Sequence, residues 1–434
     1  MLLSSLSLQQ FRNYSQSEFT FVPGITVIVG PNTAGKTNLL DSIHLLSTGK
    51  SFLTDREEEL IRFNEEFGRI KGTIVEGSNE NRTIDNRKLK IGKEDGNLKI
   101  EKPASTIHLQ PQFSTLHHQS SNESIDLEVL ITTESQMHRA GKRYFVNGVP
   151  RRRIDFASYL PTLFFTPLDL EIVSGSPSHR RHFLDDVLEQ VDKEYQRSLT
   201  TYNKGLRQRN ALLERVQETG VRNDKLFNYW DELLIKEGTY IHDKRQEFLN
   251  FINEQKKQIF NCQMEYDHSI ISPQRLEKYK NAEIGSGVTL VGPHRDDFLI
   301  QMDGGKIDNR KWKIGEEDGS LKIDNPSSIV NPQRQPSTSH NPSPRSLKAF
   351  ASRGQQRLAV LQLKMLQLQY MQENIKSTPL LLLDDIFSEL DEEHIELVSE
   401  MIGQQQTIIT TTHQEFVKGK FQKQAKVIEL DLSS

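Results

Sequence analysis

At 434 residues the chain has room for two or three domains of ~100–200 residues each, which excludes a small scaffold stapled by disulfides or metal. Lys and Arg total 55 against 59 Asp and Glu, a formal charge of −4, so no global basic field exists and any DNA contact must be a local patch. The single cysteine, Cys262, excludes an intramolecular disulfide and suits a reducing compartment, and no apolar stretch approaches the ~20 residues of a membrane span. A cytoplasmic chain with no membrane partner is therefore expected.

The N-terminal segment reads as β-rich, and the apolar run Ile25–Val29 predicts a buried strand. A glycine-containing turn follows, and Leu39, Leu40, Ile43 and Leu46 then fall at helical spacing. Further strands are predicted at Ile70–Val75, Ile125–Ile131 and Tyr144–Val146, the last followed by the turn signal Asn147-Gly148. From Ser176 to Phe260 the period changes. Phe183, Leu184, Val187, Leu188 and Val191 form a stripe that Tyr195, Leu199, Tyr202 and Leu206 continue. A second stripe runs through Leu226, Trp230, Leu233, Leu234, Ile241 and Phe248. This predicts an antiparallel pair of long helices with Gly220 in the connection. Leu380–Leu383 reads as another buried strand, and Thr407–Thr410 as one more.

An internal repeat is unusual: residues 83–105 and 306–328 are identical at 16 of 23 positions. Each copy carries an Asp-Gly turn, Asp95-Gly96 and Asp318-Gly319, and predicts a surface hairpin. The second leads into a proline-rich stretch from Pro326 to Pro344 of linker-like composition. Two copies are too few for a solenoid. The repeats are read as insertions in two surface loops, 77–123 and 303–347.

Gly30-Pro31-Asn32-Thr33-Ala34-Gly35-Lys36-Thr37 matches G-x-x-x-x-G-K-[ST] and stands between a predicted strand and a predicted helix, the context this motif requires. Consecutive backbone N–H groups at a helix N-terminus surround phosphate oxygens, so ATP is the expected ligand. Lys36 is placed to reach the β and γ phosphates and the Thr37 hydroxyl to ligate Mg2+. Thr33 stands where such loops commonly carry glycine, and a β-branched residue resists positive φ. Leu380–Leu383 ends in Asp384-Asp385, the form of a Walker B strand: Asp384 is the expected Mg2+ ligand and Asp385 a base for the attacking water. Ser352, Gly354 and Gln355 in the run Ser352–Gln356 open a helix 28 residues before that strand and make a second anion-binding end. Ser388-Glu389-Leu390-Asp391 and His413 complete an order, P-loop, S-x-G-Q, Walker B, S-x-L-D and His, which is that of ABC-type ATPases.

Arg151–Arg153, Arg180-Arg181, and Arg207 with Arg209 are local basic clusters of the kind phosphate binding needs, with solvated surface or interdomain ion pairs as the competing reading. His294 lies in Gly292-Pro293-His294-Arg295-Asp296-Asp297 with no second histidine at ligand spacing, so a structural turn or interlobe contact is expected there.

These ordered blocks, with Phe11-Arg12-Asn13-Tyr14, the run Phe165–Leu170 and Gly175–Arg181, resemble the RecF family of bacterial DNA-repair ATPases over most of the chain outside the insertions. The resemblance implies an α/β ABC-type P-loop ATPase head. A β-rich lobe I would take in 1–175 and 348–434, and a helical lobe II, 176–302, would resemble a short antiparallel coiled-coil stub. It implies that Ser352–Gln356 of one chain and the P-loop of another clamp one ATP, so that nucleotide drives homodimerisation. It also implies that Arg12 and Asn13 border the nucleotide and that His413 contacts the γ-phosphate. The expected partners are DNA with a gap or a single-strand/double-strand junction and mediators of the RecO and RecR kinds. The Asp at 385, where fast ABC ATPases carry Glu, implies slow turnover. A transporter ATPase subunit, an SMC-like tether and an ABC-headed nuclease are the rival readings. The long helical insertion after residue 176 and the Phe11–Tyr14 start argue against the first, and the lack of a long coiled coil or a nuclease segment argues against the others.

Overall fold

The computed structural model describes residues 1–54, 56–76, 124–133, 141–257, 259–302, 345–375, 377–389, 395, 398, 402, 404–412 and 425–431. Both repeat copies, Leu390-Asp391 and His413 lie outside these residues. In chain order the strands are β1 (Leu2–Phe11), β2 (Tyr14–Thr20), β3 (Ile25–Val29), β4 (Phe67–Val75), β5 (Ile125–Thr132), β6 (Gly141–Val146), β7 (Val149–Arg151), β8 (Thr162–Phe165), β9 (Cys262–Asp267), β10 (Asp297–Met302), β11 (Arg345–Ser346), β12 (Leu380–Asp384), β13 (Thr407–Thr411) and β14 (Ala425–Glu429). The longer helices are α1 (Lys36–Thr48), α2 (Pro177–Val191), α3 (Lys193–Thr219), α4 (Asp224–Glu254), α5 (Pro273–Ser286) and α6 (Arg353–Asn374).

Two sheets enclose α1. The first is antiparallel, in the order β2-β1-β4-β5-β6-β7. In β4, Gly68, Ile70, Gly72 and Ile74 face inward while Arg69 and Lys71 face solvent, the period-two pattern of a sheet covered on one side. The second is parallel, in the order β14-β3-β13-β12-β8. Every residue of β3, β8, β12 and β13 is buried, because both faces of this sheet are covered. Ile28, Leu380, Leu382 and Ile408 share a core with α1 and the antiparallel sheet. Val27, Val29, Leu381, Leu383 and Ile409 pack on the opposite side among residues of α2, α4 and α6. Eleven of the thirteen residues of α1 are buried, and each wholly buried leucine or isoleucine contributes about 1.5–3 kcal/mol.

The helical part is the predicted antiparallel pair, α3 and α4, joined through Gly220 at φ 69°. Close approach is set at Gly205, where an added Cβ would meet Leu233 Cδ2 at 2.7 Å. The apolar stripe from Phe183 to Leu206 is divided between two helices. Asp192 takes extended backbone, and its carboxylate accepts hydrogen bonds from the Glu194 and Tyr195 N–H groups at 2.8 and 3.1 Å, ending α2 and capping α3. A small antiparallel sheet, β11-β10-β9, completes this part. Its signal was the alternation of buried Cys262 and Met264 with exposed Gln263 and Glu265.

Helix α6 ties the parts together. Buried Lys364 donates to Phe164 O at 2.8 Å at the edge of the parallel sheet and pairs with Asp169 at 2.8 Å, while Gln367 donates to Phe183 O on α2. Arg245 of α4, 2% exposed, donates to the carboxylates of Asp185 and Asp296 and to Pro293 O. It thereby joins the helical pair to the turn before β10. Among the described residues no helix is long and apolar enough to cross a membrane.

Candidate nucleotide-binding site

The site begins where β3 ends. Gly30 N–H donates to Thr411 O of the neighbouring strand β13, fixing the start of the loop, and Asn32 and Thr33 stand exposed beyond it. Thr33 takes φ 75°, the left-handed conformation that a β-branched residue resists, and its hydroxyl donates to Asn32 O. Gly35 takes φ 95° at the N-cap of α1, where no side chain caps the first turn. The helix therefore offers backbone N–H donors with the positive end of its dipole. Room for side chains ends at this point, since a Cβ on Gly35 would lie 2.4 Å from Asn13 Nδ2.

The turn between β1 and β2 braces the same corner. Tyr14 donates to Gly35 O at 3.0 Å, and Asn38 Nδ2 donates to Asn13 Oδ1 at 2.7 Å. Arg12 turns its guanidinium onto the buried Asp41 carboxylate of α1, at 3.0 and 3.2 Å, and Ser51 and Phe52 N–H occupy the same carboxylate. Arg12 and Asn13 thus stand beside the P-loop helix, each engaged with it.

Lys36 folds back across the loop, donating to Gly30 O and Pro31 O at 2.8 Å each. Burial lowers its pKa, and the negative charges of Asp385 and Asp384 act the other way. The Walker B strand arrives opposite. Thr37 Oγ1 donates to Asp384 Oδ2 at 2.9 Å, although the two residues are 347 apart in sequence. Burial raises the Asp384 pKa, opposed by hydrogen bonds from Thr410 and Thr37. Asp385 follows at φ 48°, its N–H shared between Thr410 O at 3.1 Å and Thr410 Oγ1 at 3.2 Å. A hydroxyl and a carboxylate at hydrogen-bond distance, the carboxylate strained in its charged form by burial, are hard oxygen donors that fit Mg2+.

Ser352 caps α6 as the spacing predicted. Its hydroxyl accepts from Gln355 N–H at 3.3 Å, and Gln355 Oε1 accepts from Ser352 N–H at 2.9 Å, a reciprocal capping box. Ser352, Arg353 and Gly354 are exposed, and among the described residues none of their hydrogen bonds reaches the P-loop of the same chain.

The basic clusters separate by burial. Arg151, Arg152 and Arg207 are exposed. Arg153 pairs with Glu189 of α2 across the two parts, whereas Arg180 grips Asp297 at 2.6 and 3.0 Å and Arg181 donates to Asp296 O within residues 176–302, so those two tie the helical part to itself and do not bridge domains. Arg209, a candidate DNA contact in the sequence, is corrected: it is 1% exposed and satisfied by Asp231, Glu283 and Thr289. His294 is a structural group, bonded to Tyr202 and Thr289 O, and burial pushes its pKa down to about 4. Sequence reasoning passed over Asp41, Arg245 and Thr410. An arginine on the apolar face Ile241, Phe248, Ile252 was the available signal for Arg245.

A parallel sheet presenting a P-loop and an acidic Walker B end side by side, an antiparallel sheet over the P-loop helix, and a serine-capped helix α6 define an ABC-type ATPase head. The family described as RecF/RecN/SMC N terminal domain matches residues 2–431, and the chain belongs to it. The DNA replication and repair protein RecF of Bacillus thuringiensis (strain Al Hakam) is 28% identical over 453 residues, covering 99% of this chain and 97% of that protein. The RecF protein of Bacillus cereus (strain AH187) matches to the same extent. Two solved structures of the recombination mediator protein RecF in the RecFOR pathway, both 24% identical, share the fold. The RecF-ATP form has a TM-score of 0.69 over 95% of this chain and 92% of that one, and the RecF-ATPrS form 0.71 over 99% and 97%.

Proposed function

We propose that the protein is an ATP-dependent DNA-repair protein of the RecF kind, in which ATP closes two copies on gapped or junction DNA and slow hydrolysis releases them. The observation that carries this reading is the meeting of Thr37 and Asp384 at 2.9 Å beside the loop that Lys36 spans. The likeness to DNA replication and repair proteins supports the biological assignment. The bare first turn of α1 and Lys36 bind the phosphates. Thr37 and Asp384 hold Mg2+, which when bound neutralises and orients the β and γ phosphates. Asp385 orients the attacking water and takes its proton, its shorter arm giving slow turnover suited to a switch. Exposed Ser352 and Gly354, with Gln355, lie on the face that a second chain's nucleotide meets, and His413 contacts its own γ-phosphate. ATP then favours the closed dimer because only that state offers both sets of donors. Of the clusters read from the sequence, Arg151, Arg207 and Arg152, the last also paired with Asp155 at 3.0 Å, are exposed and offered to DNA phosphates. Recombinase loading with RecO- and RecR-type mediators, recovery of stalled replication and the SOS response follow in the cytoplasm. The test is ATP hydrolysis with and without gapped DNA: the wild type is stimulated, and Lys36→Ala loses both ATP binding and stimulation. A Lys36→Ala protein that still binds DNA with ATP-like strength contradicts the mechanism.

A further inference from the structure

Strand β13 lies between the strand that delivers the P-loop and the strand that delivers the carboxylates, pairing Thr410 with Ile28 on one side and with Asp384 on the other. Thr410 is 0% exposed. Its hydroxyl donates to Asp384 Oδ1 at 2.6 Å and accepts from Asp385 N–H at 3.2 Å, so its one proton and one lone pair serve both Walker B residues. With Oδ1 held there, the other oxygen of Asp384 is the one turned to Thr37, at 2.9 Å. The same contact, with Thr410 O at 3.1 Å from Asp385 N–H, anchors a backbone held at φ 48°, a conformation that costs a non-glycine residue about 1–3 kcal/mol unless its surroundings fix it.

We propose that Thr410 is a positioning residue of the nucleotide site, which orients Asp384 toward the P-loop cation position and seats Asp385. The proposal rests on the nucleotide reading above. A valine at 410 keeps β-branching and nearly the same volume but leaves Oδ1 without its donor, freeing the carboxylate to rotate away from Thr37. A serine keeps the donor and removes a methyl from the core. Outer-shell partners of metal-binding carboxylates act on this scale, ~10–100-fold in metal affinity.

The two substitutions therefore cross. ATP affinity is measured by calorimetry in EDTA and in Mg2+, together with the thermal midpoint. The wild type gains affinity in Mg2+. Thr410→Val keeps the EDTA affinity within about twofold, as expected of a change that leaves the P-loop untouched, but loses at least about tenfold of the Mg2+ gain, approaching an Asp384→Asn control. Thr410→Ser retains the Mg2+ gain even though its thermal midpoint drops below that of Thr410→Val. A full Mg2+ gain in Thr410→Val, or a loss in Thr410→Ser as large as in valine, overturns the positioning role. Wild-type ATP binding that survives Lys36→Ala overturns the nucleotide reading and this inference with it.

Discussion

Arg209→Met tests whether the helical part is held by a buried charge cluster or presents that arginine to DNA. Arg209 is 1% exposed, 2.6 Å from Asp231 and 2.7 Å from Glu283, and Glu283 is itself 0% exposed. Removing the cation leaves the Glu283 carboxylate buried without its counter-charge, at a cost of ~3–5 kcal/mol. With a urea dependence near ~2 kcal/mol/M, the unfolding midpoint of this part falls by about 2 M. Trp230 reports the transition, because it packs beside Gly205 at the α3–α4 contact; Trp312→Phe removes the only other tryptophan. In the folded baseline the variant binds gapped DNA with ATP as tightly as the wild type, and Glu283→Gln in the same chain restores part of the lost stability. An unchanged midpoint with weakened DNA binding refutes the burial argument and returns Arg209 to the DNA-contacting set.

Gly35→Ala places a Cβ 2.4 Å from Asn13 Nδ2 at a φ of 95°, so ATP affinity measured by calorimetry falls by at least about tenfold with little change in the unfolding midpoint of the helical part. Thr33→Gly removes the left-handed strain at φ 75°; net of glycine's own entropy it stabilises the chain by about 1 kcal/mol in denaturant unfolding, and a destabilised variant contradicts the strain. His294, with its pKa pushed down from 6.5 to about 4 by burial, is protonated in the unfolded chain before the folded one as pH falls. Its contribution is whole above pH 6.5 and is lost toward pH 4, up to about 3 kcal/mol. His294→Asn accordingly loses less stability than the wild type across that window, whatever its stability at pH 7, and equal slopes count against the assignment.

What the sequence disclosed was what is contiguous. Ile25–Val29 is strand β3 at the predicted bounds, and the P-loop helix and the Walker B strand each carry their chemistry within a few adjacent residues whose order is diagnostic. Asn147-Gly148 is the predicted tight turn, at φ 50° and 74°. What stayed hidden depends on three dimensions. Arg207 and Arg209 are two residues apart with the same charge, yet one is exposed and the other is buried among carboxylates from α4 and α5, and no local pattern distinguishes them. Thr410 is one of a run of threonines, and only the register of β13 against β12 gives it a role. The break at Asp192 falls inside an unbroken apolar periodicity, where a capping side chain outweighs the pattern.

Sedimentation of the purified chain with and without ATP, in the presence and absence of gapped DNA, tests the two-chain nucleotide site most directly. The wild type is monomeric without nucleotide and dimeric with ATP, more so on DNA, whereas Ser352→Arg binds ATP at its intact P-loop yet stays monomeric. A wild type that remains monomeric under every condition, or a Ser352→Arg protein that dimerises as the wild type does, contradicts the account.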